Sequence, residues 1–464
     1  MTTQKAATII HKKYPADALQ KDVSLLQNIL QADHPSLYWY TPKDSMDKYF
    51  HAAINSITDS MDEFQFRNKV SLLISKIRCG HTSVEFSKQY AKATQLIIKQ
   101  PYFPLAIKTW SDSLVVLGNF FQHDTLLKRG TIITSINDMD VHLMLDSIFQ
   151  FISTDGFSDN FKSQLTSFNF ASAYKNAFGI KQNYVIHYID SSGNDAATVI
   201  HNYNPSFDTS KQKIQNNFPH TNLFRSLSFD TAGSTAYMRL ATFSEGKLRN
   251  FFHQTFAQLK DNNTKNLIID LRENGGGIVR KAILLTKYLA DKKFRVADTV
   301  EAITRNLSYA RYLHPSFGYW LRLQFKTHKE ADGMYHLRYF EQHYFSPKTT
   351  DHFNGKIFII QGGYTFSAAT MLISNLKTQQ NVTVVGEETG GGSYGNSSIN
   401  LPFIVLPESH VRVSLPLYRT VFDSTKPKTG RGIFPDIKVP PSSFAIKQGV
   451  DIKLQKVYEL ITPK

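Results

Sequence analysis

Two apolar runs, residues 266–272 (NLIIDLR) and 357–361 (IFIIQ), each pass through glycines into a segment with helical spacing, Val279–Leu289 after the first and Ala368–Leu376 after the second. An unbroken apolar run without polar alternation is what a strand buried on both faces requires. A strand that turns through glycine into a helix, then repeats, predicts a largely parallel sheet with crossover helices. Residues 236–243 (AYMRLATF) read as a further strand, 248–259 as an amphipathic helix and 382–385 as a third short buried strand. The aromatic and charged stretch near 322–350 is expected to be a hairpin insertion into this α/β domain.

Upstream the texture changes. Residues 15–78 carry apolar positions at three-and-four spacing over 19–30 and 64–77, with Pro35 between them, and predict a small helical region. Gly80 is expected to end the last of these helices before β-branched residues begin a strand. From about 100 to 205 short strands and turns dominate, and 126–138 (LLKRGTIITSIND) resembles the strand that follows the glycine turn in PDZ domains. Such a module binds peptide C-termini by strand addition and carboxylate capture; an ordinary β-rich insertion is the other reading. Residues 203–222 are polar and are expected to be a linker.

Composition narrows the function classes. The 53 Lys and Arg against 38 Asp and Glu leave +15, yet the basic residues are scattered, so nucleic acid is not the expected partner. A single cysteine, Cys79, excludes an intrachain disulfide and a Cys-rich zinc site. No apolar run reaches membrane-spanning length, and the first residues lack the pattern of a secretory signal. Neither His-x-x-x-His nor a carboxylate cluster of ligand spacing stands out, so no metal and no cofactor is expected.

Two segments carry residues suited to chemistry. In 270–277 (DLRENGGG) three glycines follow a buried strand and precede a helix N-terminus, a turn able to hold an oxyanion on backbone N–H groups. A phosphate cradle is excluded by Ile278-Val279, where a P-loop has Lys-Ser/Thr. In 362–370 (GGYTFSAAT) Ser367 stands where a strand ends and a helix begins, its hydroxyl exposed, with the helix dipole behind it and the next N–H beside it. A helix N-cap is the alternative role for that serine.

Together with VTVVGEETGGG after them, and with HPSLYWY, GHTSV and GRGIFPDIKV elsewhere in the right order, these segments resemble the C-terminal-processing and tricorn-core serine peptidases. The resemblance implies an α/β catalytic domain of the Clp-peptidase/crotonase-like fold over 206–464, a PDZ-like domain over 87–205 and an N-terminal helical region over 1–86. It places the nucleophile on Ser367 and the oxyanion donors on the amides of Ala368 and Gly275 or Gly276. Relatives with a Ser-Lys dyad carry lysine in a T-F-G-K-G segment, where this chain has Thr389-Gly390-Gly391-Gly392. The tricorn-like branch takes a histidine from before the PDZ-like domain, which makes His81 the expected base. No carboxylate occupies the matching third position; Glu387 and Glu388 are candidates, and Thr82 or Ser83 could orient the ring instead. Thr370 stands where many relatives carry glutamate.

The implied activity is peptide-bond hydrolysis by a serine endopeptidase near substrate C-termini, with a peptide or protein as partner and the periplasm or cell envelope as compartment, the cytoplasm being the alternative. An inactive peptide- or ligand-binding protein on the same scaffold is the alternative, and a thioester-using crotonase-type enzyme is a further one.

Overall fold

The computed structural model describes residues 1–96, 101–121, 123–205 and 224–462. Most of the expected linker lies outside the described residues.

The central sheet has six strands in the order Arg225–Phe229, Thr235–Leu240, Asn266–Asp270, Lys356–Gln361, Val382–Gly386 and Ile437–Lys438. The first pair is antiparallel and every other pair parallel, as the strand–glycine–helix repeats require. Alternate side chains serve opposite faces. Leu267, Ile269, Ile357 and Ile359 join the main core beneath Leu248–Asp261, Val279–Leu289 and Ala368–Leu376, whereas Ile268, Phe358, Ile360 and Val385 meet Val457 of the C-terminal helix Ile452–Ile461. Two helices on which site residues depend, Val279–Leu289 and Ala368–Leu376, begin and end where the sequence places them.

The N-terminal helices Ala16–Asp33, Lys43–Asn55 and Glu63–Ile74 do not make a core of their own. Their Leu19, Leu26, Phe50, Phe66 and Ile74 belong to the same apolar cluster as the central sheet. Gly80 is not the helix terminator: after a short 3-10 turn, Arg78 adopts the left-handed conformation at φ 60°. Gly80 instead allows a close approach, since a Cβ there would lie 2.5 Å from Phe366 Cζ.

The intervening module has its own core, including Phe103, Ile107, Val116, Ile136 and Ile186. Five antiparallel strands, Leu105–Trp110, Ser113–Asn119, Ile132–Ile136, Asn183–Ile189 and Asp195–His201, form its main path. Three helices, Val141–Phe149, Asp159–Phe168 and Phe170–Phe178, lie between its third and fourth strands, where the sequence indicates only strands and turns.

The stretch near 322–350 contains the expected hairpin, His328–Lys329 with Tyr335–His336, flanked by the helices Phe317–Lys326 and Arg338–Gln342. It enlarges a second sheet that continues through Thr299–Ala302, Tyr418–Val421 and Gly395–Ser398. A third sheet joins the N-terminal region to the C-terminal part of the chain: Val84–Glu85 pairs antiparallel with Arg412–Ser414. Among the described residues, no helix is long and apolar enough to cross a membrane.

Candidate active site

Ser367 sits at the head of Ala368–Leu376 with φ 51° and ψ −121°, a conformation that costs an L residue about 1–3 kcal/mol. Surrounding hydrogen bonds hold it there. Phe366 N donates to Asn274 O at 3.0 Å, Gly391 N to Thr365 O at 3.1 Å, and Thr365 Oγ1 to Leu271 O at 2.8 Å. The nucleophile turn is thus tied to both glycine segments that flank it. The Ser367 side chain does not cap the helix. Its Oγ instead lies 3.0 Å from His81 Nε2.

His81 reaches this point because the chain on either side of it is anchored. Ser414 Oγ donates to His81 O at 2.6 Å and accepts from Ser83 N at 2.8 Å, at the edge of the third sheet. Its ring lies 4.9 Å, centroid to centroid, from Phe366, which stacks in turn on Phe161 of the module. These aromatic neighbours strip water from the imidazole, and burial pushes its pKa down to about 4. A neutral ring at physiological pH can accept the serine proton through Nε2, which leaves the N–H on Nδ1. Nδ1 is buried and has no hydrogen-bond partner among the described residues.

The glycine turn divides the work among its residues. Gly276 has φ 98°, and a Cβ there would lie 2.6 Å from Ser367 Cβ and 3.0 Å from Ala368 N. This glycine lets the two turns touch. Its own amide is committed to Asn274 Oδ1 at 2.9 Å, and its carbonyl accepts from Phe243 N. Of the two glycine amides expected at the oxyanion position, only that of Gly275 is without an acceptor among the described residues, as is that of Ala368. The Tyr364 ring covers Gly275, 3.0 Å from where a Cβ would stand.

The structure does not bring the candidate third members to His81. Lys453 takes up Glu387, while Arg431 Nε donates to Glu388 Oε1 at 3.0 Å and Gly432 N to the same oxygen at 2.7 Å. Thr82 Oγ1 pairs with His34 Nε2 at 2.8 Å, and Ser83 Oγ with Ser414 Oγ. Thr370 closes on the glycine loop: a Cβ on Gly391 would lie 2.2 Å from Thr370 Oγ1. The one cysteine contributes no nucleophile, because burial pushes the Cys79 thiol up to about 12.

Asp155, which the sequence reading passes over, is the acid nearest in bonding terms to this arrangement. From the module it accepts Gly80 N at 2.8 Å on Oδ1 and Gly392 N at 3.3 Å on Oδ2. One carboxylate therefore ties the segment carrying His81 to the glycine loop packed behind Ser367. Burial without a cationic partner pushes its pKa up to about 7. A cavity of about 640 Å³ opens nearby between module and central sheet, lined by Lys108, Gln164 and Phe168 on one side and Glu273, Gly362 and Glu387 on the other.

Comparison with known proteins places the fold. Residues 234–439, which hold Ser367 and the glycine turn, match the model of peptidase family S41. This segment is a peptidase family S41 domain. No curated protein sequence matches the chain. Among solved structures, mature CPAF superposes with a TM-score of 0.67 at 15% identity, over 96% of this chain and 97% of that one. Mature CPAF complexed with lactacystin gives 0.67 at 16% identity, over 96% and 98%. At these identities the likeness is one of fold, and it runs through the N-terminal helices and the module as well as the S41 domain. His81 lies outside the matched 234–439 segment.

Proposed function

We propose that the chain is a serine endopeptidase in which Ser367 is the nucleophile and His81 the general base. The observation that carries this reading is the 3.0 Å approach of His81 Nε2 to Ser367 Oγ at a strained strand-to-helix turn. Ser367 Oγ attacks the scissile carbonyl carbon while its proton passes to His81 Nε2. The carbonyl oxygen, now an oxyanion, accepts from the amides of Gly275 and Ala368. Collapse of the tetrahedral intermediate breaks the C–N bond, and His81 returns the proton to the leaving amine. Water, deprotonated by the same ring, then cleaves the acyl ester and restores Ser367. This follows the histidine-based, tricorn-like arrangement and needs no lysine at the Thr389–Gly392 loop.

The 87–205 module serves as a PDZ-like peptide-binding domain, and cleavage falls near substrate C-termini in the cell envelope.

One observation favours the alternative of an inactive binding protein: Nδ1 of His81 has no acid to stabilise an imidazolium. A fluorophosphonate probe separates the two. The folded chain should be labelled once and Ser367→Ala not at all; absence of labelling in the folded wild-type chain would leave the binding reading standing.

A further inference from the structure

The hairpin insertion contains a second group of chemistry-bearing side chains, remote in role from Ser367. His336, on the second hairpin strand, turns Nε2 toward two carboxylates: Asp332 Oδ2 at 3.0 Å and Glu301 Oε2 at 3.8 Å. One donor atom from each of the three residues falls within 4.8 Å of the others. The other ring nitrogen, Nδ1, is 2.9 Å from Glu341 Oε1, an oxygen that also accepts Val300 N.

This second contact sets the ring's orientation. A buried carboxylate that already accepts a backbone N–H is suited to accept the imidazole N–H on Nδ1, which turns the lone pair of Nε2 outward. That lone pair then faces two carboxylate oxygens, an arrangement that is repulsive unless a positive centre lies between them. Glu301 sharpens the point. Its Oε1 is bonded to Arg419, but Oε2 takes no hydrogen bond among the described residues, is turned toward Nε2, and belongs to a side chain only 7% exposed. Three carboxylates, Glu301, Asp332 and Glu341, converge on one imidazole, and among the described residues the guanidinium bonded to this group is that of Arg419, on Glu301; nearby Arg338 is held by Glu330. A proton on Nε2 leaves this group one negative charge in excess, whereas a divalent cation with a neutral ring balances it.

We propose that Glu301, Asp332 and His336 form a divalent metal site, with Glu341 as the hydrogen-bonded support of the histidine. One imidazole nitrogen with two carboxylate oxygens is a donor set suited to zinc, and calcium would be a poor match because it takes six or more oxygens. Asp332 is half exposed at the turn of the hairpin, so one side of the site is open to water and to entry of the ion. Bound there, the metal ties the His328–Lys329 and Tyr335–His336 hairpin to the strand Thr299–Ala302, on which Glu301 lies.

The test uses the full chain, freed of metal with EDTA and dialysed, then titrated with zinc chloride by calorimetry. We expect one zinc per chain, with Asp332→Asn weakening it at least tenfold and leaving the far-ultraviolet spectrum unchanged. His336→Gln should abolish the binding; if that variant does not fold, Asp332→Asn decides. No saturable zinc binding, or binding unchanged in Asp332→Asn, overturns the proposal, and calcium binding tighter than zinc overturns the assignment of metal class. Fluorophosphonate labelling of Ser367 does not depend on this site, so the two readings succeed or fail separately.

Discussion

Gly276→Ala is the most exacting check on the proposed site because the structure sets its magnitude. The new Cβ would lie 2.6 Å from Ser367 Cβ and 3.0 Å from both Ala368 N and Phe366 O. Carbon atoms in ordinary contact stand roughly 3.5–4.0 Å apart, so one turn or the other must withdraw by about 1 Å. At φ 98° alanine also carries backbone strain of about 1–3 kcal/mol. Displacing a reacting group by 1 Å costs on the order of a hundredfold in rate. Gly275→Ala is the natural control. The Gly275 φ is not positive, and the three atoms nearest its Cβ, from 3.0 Å, all belong to the Tyr364 side chain and none to backbone. The assay is the second-order rate of fluorophosphonate labelling, with thermal unfolding to confirm that each variant is folded. Gly276→Ala should be slowed about a hundredfold and Gly275→Ala far less. A folded Gly276→Ala labelled within about threefold of wild type would refute the idea that contact between the two turns positions the nucleophile.

Further outcomes follow from the same geometry. Asp155→Asn leaves one of the Gly80 and Gly392 amides facing a donor, so it should cost about 1–3 kcal/mol in stability and slow labelling, while Asp155→Glu should recover less than full activity; an unchanged labelling rate in Asp155→Asn would remove its positioning role. His81→Ala should lower the labelling rate by about two to four orders of magnitude with the fold intact, measured by the same probe. The acid limb of the labelling rate should fall near pH 4, where burial places His81, and a limb at or above 6.5 would mean a solvated or acid-paired ring. Because the folded chain binds fewer protons there than the unfolded chain, His81 and the likewise depressed His34 make stability fall as pH drops from 6.5 toward 4. Asp33 and Asp155, raised to about 7, favour the folded state as pH drops and oppose that trend, so the melting temperature of His81→Phe should rise relative to wild type as pH is lowered through this window.

What could be read from the chain and what could not divides along the range of the interactions. The helices Val279–Leu289 and Ala368–Leu376 were legible because each follows a buried strand through glycines, a local pattern. Of the second sheet only the hairpin near 322–350 was, since its strands run two to four residues and one of them, Gly395–Ser398, is polar. Gly80 looked like a helix stop, but its need for glycine comes from Phe366, far along the chain. Asp155 stands in a Thr-Asp-Gly turn where an aspartate ordinarily serves its own backbone, and nothing local marks it as a tie between two distant loops. Glu387 and Glu388 had the reverse history: position beside a buried strand made them candidates, and Lys453 and Arg431 claim them. The metal-site residues escaped notice because Glu301 and His336 meet only through strand pairing.

The pairing of Val84–Glu85 with Arg412–Ser414 has a consequence for how this protein can be dissected. Residues 234–439 contain Ser367, its turn and the glycine segment, yet His81 enters from 153 residues before that interval begins, in the turn just ahead of a strand added to its sheet. Expressed alone, the interval would lack the imidazole of His81 and would also expose the apolar face that the helices Ala16–Asp33, Lys43–Asn55 and Glu63–Ile74 cover. The smallest part that could be exchanged, shortened or grafted while keeping its chemistry is therefore close to the whole chain, and supplying residues 1–86 in trans is the natural way to ask whether the two halves of the site can find each other.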